Sequence, residues 1–278
     1  MNYFESIIIG IVEGLTEFLP VSSTGHMILA EKFLGIPDSD FTKLFTISIQ
    51  LGAILSVVLL YHKKFLSPIR NRSEGWIFYL KLIAGVVPAL VLGKLFDEKI
   101  ESLLESPLTV AISLFAGGFI LLFIDKVFNN HTISEEQSVS FRQAILIGLW
   151  QCVAMIPGIS RSAASIIGGM QQKLSRSLAA EFSFFLAVPT MAAATMYSLF
   201  LKDWQGNGIA QKGYEIILAS NQNIQSFIIG NLVAFIVALL AIKFFIGFLQ
   251  KHGFRLFGWY RIVAGAFILL LVLTGKLK

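Results

Sequence analysis

Long apolar runs separated by short polar loops dominate this chain, and their lengths fall into two classes. Residues 41–61, 76–96, 107–128, 178–201, 223–250 and 256–274 are each long enough for a helix to cross the ~30 Å hydrocarbon layer of a membrane. Residues 3–19 and 24–35, and again 141–156 and 160–170, are too short or too polar to do so, and they come as two pairs broken at Pro20 and at Pro157-Gly158. A broken helix at membrane depth is tolerated only where protein buries it or a wet cavity borders it. The pattern therefore predicts an all-α polytopic membrane protein with six full transmembrane helices plus two re-entrant helix pairs.

The pattern also repeats. A shift of 137 residues places Pro20 on Pro157, Ser23 on Ser160 and Phe45 on Phe182, and a shift of 148 places Ala116–Leu122 on Ala264–Leu270. Each half, about 1–137 and 138–278, holds one broken pair and three spans. An odd number of crossings turns the second half over, so the halves are expected to be inverted-topology repeats with their broken pairs meeting near the midplane. No soluble appendage interrupts them, and 202–222, with Gly206, Asn207, Gly208 and Gly213, is the longest polar linker. The chain is read as a single integral membrane domain.

Composition narrows the class without changing it. A chain 55% hydrophobic and 14% charged, with mean hydropathy +0.75, is too apolar for an ordinary soluble domain. The net charge of +5 is spread over short loops, which fits anionic lipid headgroups and gives no basic patch for nucleic acid. The single cysteine, Cys152, excludes an internal disulfide or a cysteine metal site. The first apolar run lacks a basic leader and carries Glu13, unlike a cleavable signal. Lys63, Lys64, Arg70, Arg72, Lys126, Arg142, Lys173, Arg176, Lys251 and Arg255 fall on one side, against eight lysines on the other together with Asp97, Glu98, Glu101 and Glu105. That bias places both termini outside the cytoplasm and opens the first pair outward.

Chemistry is concentrated in the breaks. Glu13-Gly14-Leu15-Thr16-Glu17-Phe18-Leu19-Pro20-Val21-Ser22-Ser23-Thr24-Gly25-His26 puts two carboxylates, several hydroxyls and an imidazole between apolar flanks. Ionisable groups at membrane depth cost about 2.5–3.5 kcal/mol each on insertion scales, so such a cluster points to function. Glu13 and Glu17, four apart, share a helix face and repel each other unless a cation or a shared proton lies between them; a divalent ion with oxygen ligands satisfies both. Pro20 ends that helix, and Ser22, Ser23 and Thr24 are the residue types that cap the next one. The free N–H groups of a new helix suit an anion such as phosphate. A capped kink between buried helices would account for the proline and serines, but not for Glu13, Glu17 and His26.

The second break reads Pro157-Gly158-Ile159-Ser160-Arg161-Ser162. Ser160 is placed to cap the following helix, and Arg161 adds positive charge to the positive end of its dipole, which makes sense if an anion binds there. Guanidinium, hydroxyls and free N–H groups form a phosphate clamp. An ion pair from Arg161 to Glu13 or Glu17 is the structural alternative, and the two roles are compatible. Gln50 is a plausible hydrogen-bonding support behind the site, whereas Lys81 and Lys243 are expected to snorkel or pair, and Glu181 lies near a helix start.

The stretch 13–26 and the segment 157–162 resemble the two signature motifs of the bacterial undecaprenyl-pyrophosphate phosphatases of the BacA-type bacitracin-resistance family. Glu181-Phe182-Ser183-Phe184 and Leu186-Ala187-Val188-Pro189 resemble it too. The resemblance implies a hydrolase of the bacterial cell membrane that releases the terminal phosphate of undecaprenyl pyrophosphate at the outer leaflet, recycling the lipid carrier for peptidoglycan and conferring bacitracin resistance. It implies a divalent cation, Mg2+ or Ca2+, and a homodimer. It gives Glu13 and Glu17 to the metal, Arg161 to the pyrophosphate, and Ser22, Thr24, Ser160 and Ser162 to the phosphate oxygens.

Phosphoryl transfer needs its negative charge neutralised and a positioned nucleophile. His26 fits as nucleophile through a phosphohistidine, or as the base that activates Ser23 or a water. Inverted repeats with broken helices are also transporter architecture, so a polyprenyl-phosphate transporter is the alternative function. A transporter needs the anion clamp but has no use for Glu13 and Glu17 beside His26.

Overall fold

A computed structural model describes residues 1–66, 72–96, 99–100, 103, 106–205 and 210–277, with the backbone alone for 72–74. Arg70, Asp97, Glu98, Glu101, Glu105 and linker residues 206–208, on which the expected charge bias and linker flexibility partly rest, lie outside the described residues, as does the side chain of Arg72.

Among the described residues, six helices have the length and apolarity to cross a membrane: Asp40–Leu60, Gly75–Leu95, Pro107–Val127, Arg176–Leu201, Asn221–His252 and Arg255–Leu273. Each agrees with a predicted span to within a few residues. The shorter elements also match. In chain order we label α1 (Tyr3–Thr16), α2 (Ser23–Leu34), α3 (Asp40–Ser48), α4 (Gln50–Leu60), the single turn α5 (His62–Phe65), α6 (Arg72–Leu95), α7 (Pro107–Val127), α8 (Phe141–Val153), α9 (Arg161–Gln171), α10 (Arg176–Met196), α11 (Gly213–Leu218), α12 (Asn221–His252) and α13 (Arg255–Leu273). A two-residue β-hairpin, Asp203–Trp204 with Gln211–Lys212, precedes α11.

The first predicted span differs from a continuous helix, because it breaks at Ile49 into α3 and α4. The cause is a close crossing by α12. A Cβ at Gly52 would run into the Asn231 carbonyl, and the Asn231 side chain accepts the Gly52 N–H at 3.0 Å. The break brings Gln50 to the start of α4.

Small residues set the other crossings as well. Helices α1 and α12 meet where a Cβ at Gly10 would lie 2.8 Å from the Gly230 carbonyl oxygen. Helices α8 and α6 meet in the same way at Gly148 and Gly85, and α7 and α13 at Gly118 and Gly258. Such contacts let helices approach closely where solvent offers no hydrophobic drive to associate. Thus the first helix of each broken pair, α1 or α8, packs against a long helix of the opposite half. Phe182, Phe184, Phe185 and Phe245 fill the largest apolar cluster, whereas residues such as Leu240, Phe244 and Val263 cover the outer surface that faces lipid.

Among the polar residues inside predicted spans, Lys81 is buried and donates to the Gln137 carbonyl at 3.0 Å, and Lys243 is exposed. Glu181 interacts with Tyr61 and Lys64 rather than with Arg161.

Replacing Gly148 by Val forces α8 away from α6. We expect the thermal transition of the detergent-purified protein to fall by about 5 °C or more. Gly247→Ala, where a Cβ meets nothing within 4 Å, should leave it unchanged. Equal transitions for the two variants would contradict this account of the crossing.

Candidate functional site

Helix α1 ends before Pro20, and the chain turns into α2 through Ser22, whose φ of 71° is unusual for a residue with a side chain. Ser22 is the N-cap, accepting the Gly25 N–H on its hydroxyl at 3.4 Å. The second break repeats this conformation. Ser160, at φ 77°, caps α9 by accepting the Ala163 N–H at 3.3 Å. The backbone therefore equates Ser22 with Ser160, one residue away from the expected match of Ser23 with Ser160. In that corrected register Ser23 corresponds to Arg161, and the two side chains converge on one carboxylate.

That carboxylate is Glu17, which is almost fully buried. Ser23 Oγ donates to its Oε2 at 2.5 Å, and Arg161 Nη2 donates to its Oε1 at 2.8 Å. Arg161 Nη1 also donates to the carbonyl and hydroxyl oxygens of Ser183, at 2.9 and 3.2 Å, and the guanidinium lies over the Phe18 ring. Ser183 is held in turn by Ser165, with the two hydroxyls 2.7 Å apart. Glu17 is thus the hinge of a Ser–Glu–Arg row contributed by both halves of the chain. The ion pair anticipated as the structural role of Arg161 is present, and Arg161 Nε remains without a partner.

The row forms the floor of a cavity of about 780 Å³. Glu17, Ser22, Ser23, Thr24, Ser160 and Arg161 line its inner end, and Gln50 also borders it. Lys32, Lys43 and Lys202 line it together with Glu31 and Asp38, so its walls carry charges of both signs. Burial, with repulsion from Asp38 and partial relief from Lys32, pushes the Glu31 carboxyl up to about 7.

Three expected site residues lie elsewhere. His26 does not border the cavity: its Nδ1 lies 2.7 Å from the Ser22 carbonyl, and its Nε2 lies 2.5 Å from the Tyr260 hydroxyl, with the two rings stacked. A carbonyl only accepts, so Nδ1 carries the proton of that bond, and Nε2 and the Tyr260 hydroxyl share the other. In this arrangement His26 braces the Ser22 turn instead of facing the cavity. Ser162 is fully buried and donates to the Leu19 carbonyl at 2.8 Å, joining the two turns. Glu13 is fully buried behind the cavity with its carboxyl beside that of Glu17, and neither of its oxygens accepts a hydrogen bond from a donor among the described residues.

Sequence reasoning noted Ser183 only within the segment 181–184, without a role, and missed Tyr260 and Arg261. Arg261 is fully buried and donates to the carbonyls of Pro20, Ser113, Leu114, Gly158 and Ile159. The signal for it was an arginine in the middle of an otherwise apolar span.

The geometry suits a small, highly charged anion beside a buried hydroxyl. Arg161→Ala should therefore weaken binding of inorganic pyrophosphate at least tenfold in titration calorimetry, about 1.4 kcal/mol. Unchanged affinity would contradict the anion clamp.

Comparison with known proteins agrees with the motifs. Residues 6–267 match the family described as bacitracin resistance protein BacA. An undecaprenyl-diphosphatase of Flavobacterium psychrophilum is 57% identical over 271 residues, covering 98% of this chain and 96% of that protein. That of Flavobacterium johnsoniae is 56% identical over 272 residues, with the same coverage of 98% and 96%. That of Porphyromonas gingivalis is 47% identical over 287 residues, covering 99% and 98%.

Proposed function

This chain belongs to the BacA family of bacitracin resistance proteins, and from that premise and the Glu17 row we infer how it acts as an undecaprenyl-diphosphatase. It is a multi-pass membrane hydrolase that converts undecaprenyl pyrophosphate to undecaprenyl phosphate and phosphate, which returns the lipid carrier to peptidoglycan synthesis and underlies bacitracin resistance.

The observation that carries the site assignment is the 2.5 Å hydrogen bond from Ser23 to Glu17 on the floor of the cavity. The terminal phosphate enters beside Arg161, with the Thr24 and Ser160 hydroxyls and the N–H groups at the start of α2 and α9 around it. Glu17 takes the Ser23 proton as Oγ attacks the terminal phosphorus. The anhydride P–O bond breaks and undecaprenyl phosphate leaves with the anhydride oxygen and its electron pair. Water then attacks the phosphorus of the phosphoserine, the P–Oγ bond breaks as Glu17 returns its proton to Oγ, and phosphate leaves with the oxygen and protons of that water. Arg161 neutralises charge on the transferring group throughout.

A divalent cation, Mg2+ or Ca2+, fits the same carboxylates. Glu13 is a fully buried carboxylate, neither oxygen accepting a hydrogen bond from a donor among the described residues, one helical turn from Glu17, and a hard cation takes such oxygens. Glu13 and Glu17 would hold it, and bound there it would supply further neutralisation of phosphate charge.

Several features support the inverted-repeat reading of the fold. Ser22 and Ser160 share a rare backbone conformation, and α1 with α12 and α8 with α6 make reciprocal crossings between the halves. On this reading α1–α2 and α8–α9 are re-entrant pairs within one domain, entering from opposite sides. The cavity borders Ile36, Pro37 and Trp204, on the side that also carries both termini, and the distribution of basic residues in the sequence supports an extracytoplasmic opening.

Purified protein given undecaprenyl pyrophosphate and Mg2+ should release phosphate, lose that activity with chelator, and lose at least about 100-fold in Glu17→Ala and Arg161→Ala. No release from folded wild type would overturn the hydrolase reading. Quenched turnover of substrate labelled in its terminal phosphate should trap label on Ser23, while His26→Ala retains measurable turnover. Label on His26 would refute the serine route.

A further inference from the structure

Within the apolar helix α13, Arg261 is completely buried, and among the described residues no carboxylate pairs with it. Its whole donor fork is spent on backbone carbonyls. Nε donates to Leu114 at 3.3 Å; Nη1 donates to Pro20 at 3.2 Å and Ile159 at 2.8 Å; Nη2 donates to Ser113 at 3.2 Å and Gly158 at 2.9 Å. Pro20 belongs to the first broken turn, Gly158 and Ile159 to the second, and Ser113 and Leu114 to α7. One side chain on a fourth segment thus joins three others.

A buried, unpaired guanidinium costs several kcal/mol, and five carbonyl dipoles offset that cost only when all are in place. We propose that Arg261 is the positioning residue that assembles the phosphate site from the two turns. It binds the carbonyls of Pro20, Gly158 and Ile159 behind the cavity. The following N–H groups of α2 and α9, with Ser23 and Arg161, are thereby presented to the anion. Its charge also adds a positive field behind the floor without blocking it. Arg261 touches neither Glu17 nor the cavity, so it acts only through the turns.

Lysine keeps the charge but carries its three donors on one nitrogen, which cannot serve three chain segments in a planar fan. A second, independent perturbation is available at Gly117, where a Cβ would run into the guanidinium, 2.9 Å from Cζ. Gly117→Ala displaces the guanidinium and removes no donor.

The inference rests on the phosphatase reading, so wild-type turnover is the first control. Absence of turnover in folded wild type sinks that reading; once turnover is seen, the variants test Arg261 itself. Arg261→Lys, Gly117→Ala and Gly247→Ala are measured in detergent well below their thermal transitions, with kcat and KM for the lipid pyrophosphate determined separately. We expect kcat to fall at least about 100-fold in Arg261→Lys and about tenfold in Gly117→Ala, with KM within threefold of wild type and Gly247→Ala unchanged. A purely structural role would lower the transition temperature and leave kcat per folded molecule intact, and that result overturns the proposal. If Arg261→Lys does not fold, Gly117→Ala decides alone: an undiminished kcat rejects the positioning role, and a tenfold loss at full folding supports it.

Discussion

Breaking a helix inside an apolar protein leaves backbone N–H and carbonyl groups that water cannot reach, and the rest of this structure depends on how they are satisfied. The two breaks satisfy them in the same way. A serine in a left-handed conformation caps each new helix, and carbonyls of both turns converge on Arg261. What remains on the cavity side is a pair of helix N-termini flanking Glu17. The same economy of partners joins the halves: Ser162 donates to the Leu19 carbonyl, and Arg161 reaches Glu17. Neither broken pair could form this site by itself.

The charge arrangement is a consequence of that construction. Glu17 holds both Ser23 and Arg161 in a region of low dielectric, where each hydrogen bond is stronger than in water and each unpaired group more costly. Glu13, one turn behind, lies beside the Glu17 carboxylate and receives no hydrogen bond on either oxygen from a donor among the described residues.

Much of this was legible in the sequence. All six long helices and both broken pairs follow from run length and the prolines, because burial in lipid leaves few alternatives to a helix. The break at Ile49 was not legible, since it depends on Asn231 approaching Gly52 from a distant segment. Ser23 was matched with Ser160 by identity, whereas the backbone pairs Ser22 with Ser160; conformation, not residue type, sets the register. The orientation of His26 could have been anticipated. Ser23, Thr24, Met27, Ile28 and Glu31 line the cavity, and at about 100° per residue His26 points roughly 130° away from their centre. Arg261 stands outside the polar clusters, yet a lone arginine in an apolar helix carries the same cost of burial and is the same signal.

The central claim is that the two turns form one phosphate site organised by Glu17. The most direct measurement is an experimental structure of the protein with a nonhydrolysable prenyl methylene-bisphosphonate. The account predicts the terminal phosphonate between Ser23 and Arg161, with its phosphorus within reach of Ser23 Oγ. A phosphonate bound against His26 and Tyr260, out of contact with Arg161, would contradict it.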